Sequence, residues 1–232
     1  MTAQLDFGFR AAPEQLVLDW PWTAAPSRED VIETPALAPA LALVDAWPLW
    51  PGPAAVLSGP PGSGKTHLAR LWAAAAEAVA IAPERLDGFD PAVLGERCVL
   101  IEDASAVVLG ARSVATGLFH LLNHARGVGS SVLLTARSSP VAWPLPLPDL
   151  ASRLRAAQHA ALPPPDEPLM RAVMAKLMTD RQMPLDDLVI DAAVVRLDRS
   201  LSAVRDLVRR LDRRALAERR PPSRRMVIEL LG

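Results

Sequence analysis

Eight consecutive residues of this 232-residue chain, Gly59-Pro60-Pro61-Gly62-Ser63-Gly64-Lys65-Thr66, leave few architectures open. They fit G-x-x-x-x-G-K-[ST], a pattern expected by chance at a frequency on the order of 0.01 in a chain of this length. The context fits as well. The apolar run Ala54-Ala55-Val56-Leu57-Ser58 precedes the loop and reads as a buried strand, and the Ala/Leu-rich stretch 66–79 follows it and reads as a helix. Glycines let backbone N–H groups turn inward around phosphate oxygens, and the helix N-terminus adds partial positive charge. In such a loop Lys65 reaches the β- and γ-phosphates and the Thr66 hydroxyl ligates Mg²⁺. Residues 59–67, His67 included, are therefore the expected binding site for a nucleoside di- or triphosphate.

The rest of the chain supports an α/β body. Apolar runs at 98–101 and 131–135 predict further strands, and 36–47 and 114–126 predict helices. Short, wholly apolar strands between helices imply a parallel sheet covered on both faces. Pro163-Pro164-Pro165-Asp166-Glu167-Pro168 then marks a boundary, beyond which only helical patterns occur, near 167–182, 186–197, 200–219 and 224–231. The expected organisation is a tail over 1–27, an α/β nucleotide-binding body over 28–162 and a small all-helical lid over 163–232. One cysteine, Cys98, permits no internal disulfide and fits a reducing cytoplasm, and the longest apolar stretch, 71–82, is broken by Glu77 and too short to span a membrane. The net charge of −1 hides an asymmetry: residues 1–150 hold 9 Lys/Arg against 15 Asp/Glu, residues 151–232 hold 16 against 11.

A phosphate loop needs acidic residues at the tip of a neighbouring strand, and Val99-Leu100-Ile101-Glu102-Asp103 supplies them. Glu102 falls at the metal position beside Thr66, and Asp103 at the water-orienting position. The usual order of these two carboxylates is Asp then Glu. The longer arm at the metal and the shorter arm at the water misplace the attacking oxygen, and catalysis is intolerant of errors of about 1 Å. Nucleotide binding with weak or partner-dependent hydrolysis is the expectation.

The order of phosphate loop, acidic strand, Leu133-Leu134-Thr135 strand and helical lid resembles the AAA+ ATPases. Leu147-Pro148-Asp149-Leu150-Ala151-Ser152-Arg153-Leu154 is similar to the box of DnaA-related replication initiators that carries an arginine finger. The resemblance makes Arg153 a guanidinium projected in trans toward the γ-phosphate of a neighbouring subunit. Ser200-Leu201-Ser202-Ala203-Val204-Arg205-Asp206 resembles the family's sensor-2 region. Arg205 falls roughly 40° from Leu201 on the helical wheel, at the edge of the apolar stripe, where it can meet the phosphates of its own nucleotide. For sensor-1, Thr135 and Arg137 are both candidates. Near the start, Gln4-Leu5-Asp6-Phe7-Gly8-Phe9 is similar to the peptide that docks on the bacterial sliding clamp, Gln4 giving amide hydrogen bonds and Leu5, Phe7 and Phe9 filling an apolar pocket. A DnaA-like body with that peptide, and no helix-turn-helix domain after the lid, resembles the Hda type. The resemblance makes the bound nucleotide ADP or ATP. It also implies clamp docking, Arg153-triggered ATP hydrolysis in a DnaA-type initiator, nucleotide-dependent self-assembly, and no sequence-specific DNA binding.

Other features read as structural. His120 and His124 have metal-ligand spacing but no third partner, and Asn123 is an expected interior hydrogen-bonder. The six tryptophans and Cys98 read as packing residues. Arg209, Arg210, Arg213 and Arg214 read as a solvated helix face, although they would suit DNA phosphates in a helicase-loader type of protein, the other class this sequence fits. A self-sufficient NTPase is the third class, and the Glu102-Asp103 order argues against it.

Overall fold

The apolar run before the phosphate loop forms β1 (Ala54–Ser58), all five of whose side chains are buried. The computed structural model describes residues 27–104 and 111–232, so Gln4, Leu5, Phe7 and Phe9 lie outside the described residues. Around β1 stand β2 (Val79–Ala80), β3 (Val99–Ile101), β4 (Val132–Ala136) and β5 (Gln158–Ala161), in the spatial order β2-β3-β4-β1-β5. Every pairing is parallel, with Val56 opposite Leu134 on one side and His159 on the other. The central strands β1 and β4 are buried at each position, which is why their sequences are continuous apolar runs rather than alternations.

Helices cover both faces. Leu57, Leu100 and Leu133 face one cluster, shared with α1 (Ala38–Asp45) and α2 (Lys65–Ala75). Val56, Ile101 and Leu134 face the other, closed by α3 (Arg112–Val128) and α4 (Pro148–Ala156). Leu57, Leu133 and Leu134 are fully buried, each contributing about 2 kcal/mol by transfer from water. After β5 come the lid helices α5 (Glu167–Asp180), α6 (Asp187–Val194), α7 (Leu201–Glu218) and α8 (Arg224–Leu231). Side chains cap them: Asp166 accepts from the Leu169 amide at 2.9 Å, Asp186 from Leu188 at 2.8 Å and Ser200 from Ser202 at 3.2 Å. Met170 and Met174 of α5 and Val204 and Val208 of α7 belong to the same apolar cluster as α1 and α2.

Two edges depart from the sequence expectation. The helix expected over 66–79 stops at Ala75, because Glu77 turns with φ 47° and Val79–Ala80 pairs with Val99 and Leu100 as β2. The Gln-His-Ala-Ala segment of β5 carries no apolar run, being an edge strand paired only to β1. The tryptophans pack as expected: Trp50 stacks on Trp72 at 5.5 Å and Trp47 meets Trp72 edge-on at 6.2 Å. Trp20 and Trp22 lie outside the described residues. Cys98 is half-buried against this cluster. No described helix is long and apolar enough to cross a membrane.

Candidate functional site

The phosphate loop lies between the end of β1 and the start of α2, among the C-terminal ends of the strands, where open α/β sheets hold their ligands. Gly64 caps α2 with φ 101° and Gly62 turns the loop with φ 73°, values that side chains resist. The first-turn amides of α2 are thereby left facing the loop. Lys65 folds back over it, its Nζ donating to the carbonyls of Gly59 and Pro60, both at 2.7 Å. Burial pushes the Lys65 pKa down, with Asp103 opposing that shift and Arg137 adding to it. Ser63 is buried inside the loop, and Thr66 and His67 are half-buried.

Both acidic residues leave β3 at the same end. Asp103 takes φ 52°, and its N–H donates to Thr135 Oγ1 at 2.9 Å. Arg137 donates to Asp103 Oδ2 at 3.2 Å, while Asp103 Oδ1 is buried with no hydrogen-bond partner. Glu102 accepts from Arg70 Nε at 3.0 Å. The two sensor-1 candidates thus hold the same residue, Thr135 by its backbone and Arg137 by its carboxylate. The Thr66 hydroxyl and the unpaired buried Asp103 Oδ1 suit a small hard cation such as Mg²⁺, whereas Glu102, the third residue that could hold it, already carries the Arg70 guanidinium. Such an ion, when bound, neutralises charge on the phosphate oxygens.

The lid closes over the loop through backbone. The Leu201 N–H at the start of α7 donates to Gly62 O at 2.8 Å, and a Cβ placed on Gly62 would overlap the Ser200 side chain. Arg205, one turn further along α7, has its pKa pushed down first by desolvation and then by the like charge of Arg70, although much of the side chain is open to solvent. Asp206 opposes the shift. The lid arginine is thus within electrostatic reach of Arg70.

Arg153 is arranged differently. It lies on α4, across the sheet from α2, with its guanidinium carbon 4.8 Å from the centre of the Phe119 ring on α3. Its Nη1 is buried and has no hydrogen-bond partner. The fold thus gathers residues 59–67, 102, 103 and 205 around one cradle and leaves Arg153 on the opposite face. Three contacts escape the sequence reading. Arg70 is one, although its i,i+4 spacing from Thr66 signals a shared helix face. Phe119 as a support for Arg153 is the second. The third is the bond of Ser58 Oγ to His159 Nε2 at 2.7 Å, just below the loop. His124 Nε2 is bonded to the Gly95 carbonyl at 2.8 Å, and among the described residues no group of three metal-ligating side chains occurs.

By sequence, no family model matches the chain and no curated protein is similar to it. By structure, it is similar to domain III of the replication initiation protein DnaA from Thermotoga maritima, at TM-score 0.78 and 21% identity over 91% of this chain and 97% of that one. AMPPCP-bound DnaA from Aquifex aeolicus superposes at TM-score 0.69 and 15% identity, over 84% of this chain and 70% of that one. The RuvB Holliday junction branch migration motor of Thermotoga maritima gives TM-score 0.68 at 16% identity, covering 89% and 71%. The fold is that of the AAA+ P-loop ATPase modules, in its DnaA-like form.

Proposed function

We propose that this chain is an ADP/ATP-binding AAA+ regulator of replication initiation, which docks on the sliding clamp through Gln4, Leu5, Phe7 and Phe9. Arg153 is donated in trans to the ATP of a DnaA-type initiator and drives its hydrolysis, while the chain's own nucleotide, with Mg²⁺, sets its conformation and nucleotide-dependent self-assembly. The observation that carries this reading is the division of the site between two faces: a phosphate cradle touched by its own lid, and across the sheet an arginine braced on Phe119 with an unpaired buried Nη1. Arg153 as a whole is half-buried, so what an oxyanion from outside the chain can reach is the exposed part of a guanidinium braced on the ring, not the buried Nη1. The crowding of Arg137 onto Asp103, which leaves one carboxylate oxygen for water or metal, supports slow hydrolysis by the chain alone.

The test has two steps. Clamp binding of the wild type is compared with a Gln4→Ala, Phe7→Ala double variant, and initiator ATP hydrolysis is then measured with and without Arg153→Ala. Binding lost in the first variant and stimulation lost in the second support the reading. A wild type that ignores the clamp removes it. A second reading, a DNA-handling ATPase of the helicase-loader type, draws support from residues 209–225, which hold eight arginines against Asp212 and Glu218. Steep salt-dependent DNA binding would favour it.

A further inference from the structure

The carboxylate nearest the metal position is already engaged by a cation of the protein. Arg70 lies one helical turn after Thr66 on α2, so the guanidinium rises from the same face as the hydroxyl expected to ligate Mg²⁺. Its Nε bonds Glu102 Oε1 at 3.0 Å. Arg205 follows on the lid helix one turn after Leu201, whose N–H meets Gly62 O at 2.8 Å, and the charge of Arg70 acts against its own. The other carboxylate, Asp103, is held by Arg137. Around the cradle, then, Lys65, Arg70, Arg137 and Arg205 stand against Glu102, Asp103 and Asp206, the last also paired to Arg209. The surplus is positive before any metal arrives.

This balance bears on the ligand. A divalent cation needs anionic oxygens free to approach it, and it repels a guanidinium resting on the same carboxylate. A polyphosphate benefits from the arginines directly, through charge-assisted hydrogen bonds. We propose that Arg70 is a positioning residue that acts as a built-in counter-cation for Glu102, so that the chain holds a nucleoside diphosphate with little dependence on Mg²⁺. The proposal rests on the nucleotide-binding reading above. Arg70 is 60% exposed, so solvent tempers the effect, and the change sought is in the metal dependence rather than in affinity alone.

The experiment measures ADP binding to the full chain by calorimetry, in Mg²⁺ and in EDTA, for wild type, Arg70→Ala and Arg70→Lys. The unliganded melting temperature of each variant is recorded as a check on folding. In the wild type the two dissociation constants should agree within about threefold, whereas in Arg70→Ala affinity in EDTA should fall about tenfold relative to Mg²⁺. Arg70→Lys, which keeps the charge but not the planar fork, should fall between them. Equal metal dependence in wild type and Arg70→Ala overturns the proposal, as does a wild type that releases ADP in EDTA. Absence of ADP binding in both buffers overturns the nucleotide reading itself, and the proposal with it.

Discussion

Alanine at Gly62 tests whether the lid is held by the phosphate loop. The residue sits at φ 73°, where a Cβ costs about 1–2 kcal/mol against the backbone. The added atom would overlap Ser200 Oγ and come within 2.8 Å of Ser200 Cβ and 2.9 Å of Ser202 Oγ. Relief requires moving the first turn of α7, which breaks the bond from the Leu201 amide to Gly62 O and costs a further 1 kcal/mol or about that. The sum, about 2–3 kcal/mol, lowers the melting temperature by roughly 4–12 °C in a chain of this size. Repeating the substitution in a Ser200→Gly background separates the two causes. That background removes both atoms of Ser200 that the new methyl would strike, at a cost of a few tenths of a kcal/mol to the helix cap. The backbone cost and the milder contact with Ser202 Oγ should persist there while the overlap with Ser200 disappears, giving a coupling of about 1 kcal/mol in the double-mutant cycle. Calorimetric melting of the four proteins measures it. Identical costs of Gly62→Ala in the two backgrounds would refute the contact between lid and loop.

Removing the Lys65 ammonium, as Lys65→Ala, should weaken ADP or ATP binding at least about a hundredfold by calorimetry, with little change in the unliganded melt. Phe119→Leu, which withdraws the ring beneath Arg153, should lower stimulation of initiator hydrolysis about tenfold and leave ADP affinity unchanged, whereas Arg153→Ala should lower stimulation about a thousandfold. The His159 pKa is pushed below its ordinary value by burial, so the folded state binds this proton less readily than the unfolded one. Its contribution is complete above the ordinary histidine value of about 6.5 and is lost as the pH falls through the depressed folded value. Denaturant titrations should therefore show stability declining below about pH 6.5, and His159→Gln should flatten that slope.

The sequence carried the parts of the fold that obey a local rule. β1, β3 and β4 are buried on both faces and so appear as unbroken apolar runs, and the lid helices announce themselves through Asp166, Asp186 and Ser200 at their N-caps. The phosphate loop is legible because its glycines meet a backbone requirement that few other sequences meet. The edge strands obey no such rule. Val79–Ala80 and Gln158–Ala161 are strands because a neighbour offers them hydrogen bonds, and that information sits in β3 and β1. The candidate site divides in the same way. Lys65, Thr66, Glu102 and Asp103 are set by spacing along the chain, whereas Arg70 on Glu102, Arg137 on Asp103 and Phe119 under Arg153 join residues 32, 34 and 34 positions apart. Such pairs become visible only once the sheet has fixed which helix stands beside which strand.

The run Pro163-Pro164-Pro165 announces a border, yet the apolar cluster crosses it. Leu57 and Trp72 from before the prolines share one cluster with Met170 and Val208 from after them. The border is thus a hinge in covalent connectivity but not in cohesion. Residues 163–232 cut away would carry a raw apolar flank into water, and the remainder would lose the wall of its own interior. Body and lid should therefore melt as one cooperative unit, and a ligand that tightens the phosphate loop should add stability at the far end of the lid.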